Sequence, residues 1–298
     1  MDEYLNYSLK SWEELTFTDD YMFKLVMSKH PKFIKKLLNI ILQVNVKEIR
    51  FHETEKNLKD SYDGHGIRFD LYVEDSDNTV YDIEMQVGYY SSHALAKRMR
   101  FYQGIFDVDS LKAGQKYTSL KKSIIIFLCP FKFLNGERSL YTFSNFCLQD
   151  KTLALPDETT KIVVSSAGKR PVDTPKALIP ILDYMNGKAA NNEFTKAIDE
   201  AIKNEKNIET ERMSYMTYEM KLQEMQEAGY NRGKREGMLE GKREGMLEGK
   251  REGMLEGKFE SRIESIRELM RNLNLSPEKA MKALGISPSE FSRYLTLL

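Results

Sequence analysis

Residues 67–88 read IRFDLYVEDSDNTVYDIEMQVG. Side chains alternate across an extended chain, so Phe69, Leu71 and Val73 share one face of the first half, and Arg68, Asp70 and Tyr72 share the other. In the second half Ile83, Met85 and Val87 oppose Asp82, Glu84 and Gln86. The tight polar link Ser76-Asp77-Asn78 joins the halves, which predicts a β-hairpin. Pairing about that link sets Asp70 opposite Glu84, with Cβ atoms about 4.5–5.5 Å apart. Carboxylates so placed repel, and burying a polar group unpaired costs roughly 2–7 kcal/mol. A cation between them removes both penalties. Two carboxylates beside the Met85 main-chain carbonyl suit a hard divalent ion such as Mg²⁺, which takes oxygen ligands and keeps several waters. A solvated polar sheet face accounts equally well for the same spacing.

Working outward, TFTDDYMFKLVMSKHPKFIKKLLNIILQ has a cap at Thr18, acids in the first turn, and apolar residues at Phe23, Val26, Phe33, Leu37, Ile40 and Ile41. It predicts one or two amphipathic helices, interrupted near Pro31. KEIRFHE reads as a further strand. After the hairpin, Leu95, Met99, Tyr102 and Phe106 recur at helical spacing, with Lys97, Arg98, Arg100 and Gln103 expected elsewhere on the surface. KKSIIIFLCP is a continuous apolar run, as in a strand buried on both faces. The order of helix, three strands, helix and strand predicts an α/β domain with a mixed sheet flanked by helices. RSLYTFSNF and TKIVVSS extend it.

Composition then turns charged and helical. From Gly229 to Gly257 glycine recurs every fourth residue within GKREGMLE repeats. Each mid-helix glycine costs about 0.8–1 kcal/mol against alanine, so eight of them handicap an isolated helix by roughly 6–8 kcal/mol. Such a helix calls for a partner: glycine lets another backbone approach, and pairs such as Met246 and Leu247 supply apolar contact. The stripe winds by about 40° for every four residues, which favours a local contact over a long coiled coil. A flexible charged spacer is the alternative. Ser276-Pro277 and Ser287-Pro288 both read as capped helix starts. The closing helices either dock on DNA as a helix-turn-helix does or pack on protein. The expected organisation is a domain over 1–187, a helical connector over 188–228, a glycine-repeat helix over 229–262 and a helical module over 263–298.

With 45 acidic and 45 basic residues, net charge singles out neither a nucleic-acid binder nor a membrane-surface protein, so any basic patch is local. Cys129 and Cys147 lack zinc-ligand spacing with His30, His52, His65 and His93, which points to a reducing compartment without structural zinc. His65, in Gly-His-Gly, reads as a loop residue. The start MDEYLNYSLK lacks the features of a signal peptide, and IIIFLCPF is too short to span a bilayer. A cytoplasmic protein with no membrane association is expected.

Asp70, followed some fourteen residues later by Glu84-Met85-Gln86, between one helix and a basic helix leading to a buried strand, resembles the PD-(D/E)XK nuclease core. TDDYMFK, RFDLYVED, YDIEMQ, KRMRFYQGIFD, YTSLKKSIIIFL and the glycine-repeat tail closing on KALGIS resemble the Rpn family of recombination-promoting nucleases and transposases. The resemblance implies a restriction-endonuclease-like fold and a Mg²⁺-dependent DNA endonuclease. It makes Asp70 and Glu84 metal ligands and puts Gln86 at the place of the superfamily lysine. Asp20 is an accessory acid, with a first-turn helix-dipole role as the alternative. Arg98 and Tyr102, one turn apart, are candidates to face the phosphate, against plain roles as a surface charge and a core aromatic. Gln86 donates and accepts hydrogen bonds and orients a water, but it cannot serve as a general base. Two other readings stay open: a noncatalytic interaction protein, which the missing lysine favours, and a transposase that joins strands as well as cutting them.

Overall fold

A computed structural model describes residues 10–58, 67–88, 91–111 and 113–298; His65 lies outside them. Helix α1 (Asp20–Lys29) begins one residue after an Asp19 N-cap, so the expected cap at Thr18 is displaced. The Asp19 carboxylate turns back instead, accepting from the Thr16 N–H at 2.7 Å and its hydroxyl at 2.8 Å. Helix α2 (Pro31–Leu42) follows after a single residue. Proline disfavours helical geometry in the residue before it, and His30 has φ −128° and ψ 75°. Proline itself fits the first helical position.

Strands β1 (Ile49–Leu58), β2 (Ile67–Asp75) and β3 (Val80–Met85) form an antiparallel meander. Helix α3 (Ser92–Ser110) then crosses over to β4 (Ser123–Cys129), parallel to β3, as a parallel connection requires. Strands β5 (Leu140–Phe143) and β6 (Thr159–Ser165) complete a six-stranded mixed sheet of order β1-β2-β3-β4-β6-β5. Helices α4 (Ile179–Met185) and α5 (Glu193–Lys206) follow.

The hairpin has the expected register, Leu71 facing Ile83 and Val73 facing Tyr81. Asn78, at φ 61°, takes the left-handed turn position, which asparagine tolerates better than most residues. The Asp75 carboxylate closes the turn, accepting from the Asp77 and Thr79 N–H groups at 2.9 Å and the Tyr81 hydroxyl at 2.8 Å.

Each face of the sheet has its own core. On one, Leu71, Val73, Ile83, Met85, Ile124, Ile126 and Leu128 pack with apolar residues of α1, α2, α4 and α5. On the other, Tyr72, Val80, Ile125, Phe127 and Cys129 pack with Leu95, Met99, Tyr102 and Phe106 of α3. Covering both faces explains why β4 is wholly apolar after Ser123 and wholly buried. Phe69 departs from the alternation. It stacks on Phe106 at 4.5 Å on the α3 side rather than joining Leu71 and Val73. The β2–β3 ladder ends at Leu71–Ile83, and beyond it Asp70 pairs with Lys24 of α1.

Helix α6 runs from Glu209 to Leu273. The chain divides into two compact units, one ending at Glu219 and one beginning at Met220. In the first, Tyr215 and Tyr218 of α6 pack with Trp12 and Tyr21. In the second, α7 (Pro277–Ala283) and α8 (Phe291–Leu295) share a small core with α6 through Ile263, Ile266, Ala280, Met281, Ile286 and Tyr294. Gly285, at φ 70°, ends α7 in the left-handed conformation. The repeat glycines lie within α6, with open space where each Cβ would be.

Candidate active site

The site forms where the hairpin ladder stops. Asp70 and Glu84 replace the next ladder bonds with side-chain bonds to each other's strand. The Asp70 N–H donates to Glu84 Oε1 at 2.8 Å, and the Met85 N–H donates to Asp70 Oδ2 at 3.0 Å. One oxygen of each carboxylate is thereby fixed. The other meets a cation: Lys24 Nζ lies 3.1 Å from Asp70 Oδ1, and Arg98 Nη2 lies 3.1 Å from Glu84 Oε2.

Arg98 is held on several sides. Its Nη1 donates to Gln86 Oε1 at 2.6 Å and its Nε to the Tyr102 hydroxyl at 2.8 Å. The guanidinium carbon lies 5.0 Å from the Tyr102 ring centroid and 5.5 Å from that of Phe127, within cation–π range. Gln86 Nε2 donates to the Gly88 carbonyl at 2.9 Å. Tyr102 is buried in the α3-side core, and its hydroxyl is what reaches the site.

Asp20 joins through Lys24. The two are one turn apart on α1, and Lys24 Nζ lies 3.0 Å from Asp20 Oδ2. The Tyr218 hydroxyl donates to the same carboxylate at 3.3 Å. The six side chains singled out from the sequence, Asp20, Asp70, Glu84, Gln86, Arg98 and Tyr102, are thus connected in one network. Lys24 is the link that sequence reasoning missed, although it closes the TDDYMFK stretch four residues after Asp20.

Burial shapes the electrostatics. Glu84 is 2% exposed, and burial, followed by the neighbouring Asp70 charge, pushes its carboxyl up to about 8. Burial raises Asp70 as well, with Lys24 opposing. Asp82, one step behind Glu84 on the same side of β3, is fully buried, and neither of its oxygens meets a hydrogen-bond donor. Burial and then the Glu84 charge hold it far above the ordinary carboxylate range. As a carboxylic acid it has an acceptor in Glu84. Burial works against the Lys24 ammonium, but the charges of Asp70 and then Asp20 outweigh it, so its pKa is raised and it stays protonated.

The donor chemistry fits a hard divalent ion. Among the described residues no cluster of three or more His, Cys, Asp or Glu ligands forms a closed metal cage. Asp70 and Glu84 instead make the two-carboxylate set that Mg²⁺ accepts when waters and substrate phosphate complete its shell. The outward oxygens are those now neutralised by Lys24 and Arg98, and the buried Asp82 carboxyl adds to a local excess of acid.

A mixed sheet flanked by helices, with an acid on one hairpin strand and a Glu-x-Gln on the next, is the restriction-endonuclease-like architecture of PD-(D/E)XK nucleases. Residues 17–158 match the model of the PD-(D/E)XK nuclease family transposases. No curated protein and no solved structure matches the chain. The family carries nuclease or transposase function with DNA as substrate. Among the described residues, no helix is long and apolar enough to cross a membrane.

Proposed function

We propose that this protein is a divalent-metal-dependent DNA endonuclease of the Rpn type, acting in the cytoplasm in recombination or mobile-element biology. The observation that carries the reading is the interlocked Asp70–Glu84 pair at the end of the hairpin ladder, with one oxygen of each fixed and the other facing a cation. Asp70, Glu84 and the Met85 main-chain carbonyl would hold Mg²⁺ or another hard divalent ion. When bound, such an ion lowers the pKa of a water and offsets negative charge at phosphorus. The chain's own residues do the rest. Arg98, fixed by Tyr102 and Gln86, binds a phosphate oxygen, and Gln86 orients the attacking water through its amide. Water oxygen forms a bond to phosphorus as the opposite P–O ester bond breaks; water loses one proton to solvent and the leaving oxygen gains one. The free thiols of Cys129 and Cys147 suit a reducing compartment.

The test is nicking of supercoiled plasmid. Conversion to open-circular or linear DNA is expected with Mg²⁺ or Mn²⁺, and none in EDTA. Equal nicking in EDTA rules out metal dependence, and no nicking with any ion favours a DNA-binding or interaction module.

The repeat helix supplies the second part of the proposal, a homo-oligomer. Its Met238, Leu239, Met246, Leu247, Met254 and Leu255 are all exposed, beside glycines with open space around them. Deleting residues 229–262 is expected to lower the mass seen by light scattering to that of one shortened chain. A full-length protein already monomeric makes the repeat a spacer.

A further inference from the structure

Lys24 is a second partner of the Asp70 carboxylate. Asp70 is already anchored through its Oδ2 to the Met85 N–H, yet Lys24 reaches its outward Oδ1 at 3.1 Å. The side chain is 11% exposed, so the ammonium lies in the site wall and not in open solvent. A second carboxylate also holds it: Asp20 contacts it at 3.0 Å, and Tyr218 donates to Asp20.

The chemistry at Gln86 calls for such a group. Hydrolysis of a phosphodiester builds negative charge on the non-bridging oxygens, and an amide offers only a neutral dipole against it. Arg98 is one cation of the site, but it is clamped to Glu84, Gln86 and Tyr102. A lysine ammonium differs, being a compact charge on a flexible four-carbon stem with three donors. Asp20 and Asp70 engage two of those donors, which leaves one N–H for a phosphate oxygen.

We propose that Lys24, delivered by α1, is a catalytic residue that supplies from another element the positive charge missing at Gln86. This inference rests on the nuclease reading above. Lys24 forms and breaks no covalent bond. It pairs with Asp70 in the free protein and turns its ammonium to the scissile phosphate when a divalent ion takes the Asp70 oxygen. Lysine and metal therefore compete for one oxygen, and removing the lysine has opposite effects on metal binding and on cleavage.

The experiment compares wild type, Lys24→Gln and Lys24→Arg by Mn²⁺ titration calorimetry and by plasmid cleavage at saturating Mn²⁺, with a thermal melt on each. Lys24→Gln is expected to bind Mn²⁺ roughly fivefold more tightly, having lost a competing charge. Its saturated cleavage rate is expected to fall about 100-fold, the scale for losing one transition-state donor. Lys24→Arg keeps the charge and is expected to cut within about tenfold of wild type. A merely structural ion pair would not tighten metal binding while slowing cleavage. Unchanged or weaker Mn²⁺ binding by Lys24→Gln, or an unchanged cleavage rate, overturns the assignment. If Lys24→Gln does not fold, Lys24→Arg decides alone: normal Mn²⁺ affinity with cleavage down more than about 100-fold would overturn a role carried by charge. A wild-type protein that cuts no DNA with any ion overturns the nuclease reading, and Lys24 with it, whereas wild-type cutting matched by Lys24→Gln overturns Lys24 alone.

Discussion

Asp70→Asn and Glu84→Gln are each expected to lower the rate of DNA cleavage at least about 1,000-fold while leaving the fold intact, since a site that loses a charged metal ligand forfeits several kcal/mol of transition-state stabilisation. Both substitutions keep the shape of the side chain. In the Asp70→Asn variant the new amide oxygen still accepts the Met85 N–H, and in the Glu84→Gln variant the new amide oxygen still accepts the Asp70 N–H, so the interlock at the end of the ladder survives. What disappears is the negative charge. Because Glu84 is buried beside Asp70 and Asp82, Glu84→Gln removes a charge that burial opposes, and at pH 9 the metal-free variant is expected to melt at or above the wild-type temperature, whereas Asp70→Asn also takes from Lys24 its partner charge and is expected to melt near it. Loss of activity with gain of stability separates a ligand role from a structural one. Cleavage equal to wild type in both variants would sink the site assignment; a large drop in melting temperature would turn the pair into a folding element.

The second large effect is a dependence of stability on pH opposite in sign to that of an ordinary paired carboxylate. Burial and then Asp70 raise Glu84 from 4.5 to about 8. Between those values the folded protein holds a proton that the unfolded chain has released, so stability falls as pH rises. The contribution is complete below about pH 4.5, the unfolded value, and is lost as the pH climbs through about 8. Asp70 and Asp82 are raised too and act in the same sense. Carboxylates held low, such as Asp183 beside Arg170 and Asp199 beside Lys203, act in the opposite sense only at more acidic pH. The metal-free protein is therefore expected to melt roughly 10 °C lower at pH 9 than at pH 5. Adding Mg²⁺ at pH 9 should recover much of the loss, because the ion binds the deprotonated pair. Glu84→Gln should flatten the profile. A melting temperature level or rising from pH 5 to pH 9 would show that these carboxyls are not strained in the folded state.

Much of the fold was legible in the sequence because its signals are local. The period-two alternation of β3, the polar Ser76-Asp77-Asn78 link and the unbroken apolar run of β4 each depend on neighbours a few residues away. The hairpin register, and with it the facing of Asp70 and Glu84, followed from the link and the pattern together. Phe69 was misplaced because it stacks on Phe106 of α3, a partner distant in sequence, although β2 stays paired with β1 as far as Ile67. Thr18 was misplaced as a cap because Asp19, beside it, also suits the position, and the hydrogen bonds of the preceding turn settled the choice.

The candidate site divides along the same line. The sequence by itself determined the hairpin, the facing acids, the glutamine beside them and the basic helix that follows, since strand pleat and helical repeat act over a few residues. Only the tertiary structure decided what those residues touch. Packing α1 against the sheet carries Lys24 to Asp70 across 46 positions of chain, packing α3 on the opposite face carries Arg98 to Glu84, and the start of α6 brings Tyr218 to Asp20. These contacts join residues distant in sequence through cores that no local pattern encodes, and burial in those cores is what raises the Glu84 carboxyl.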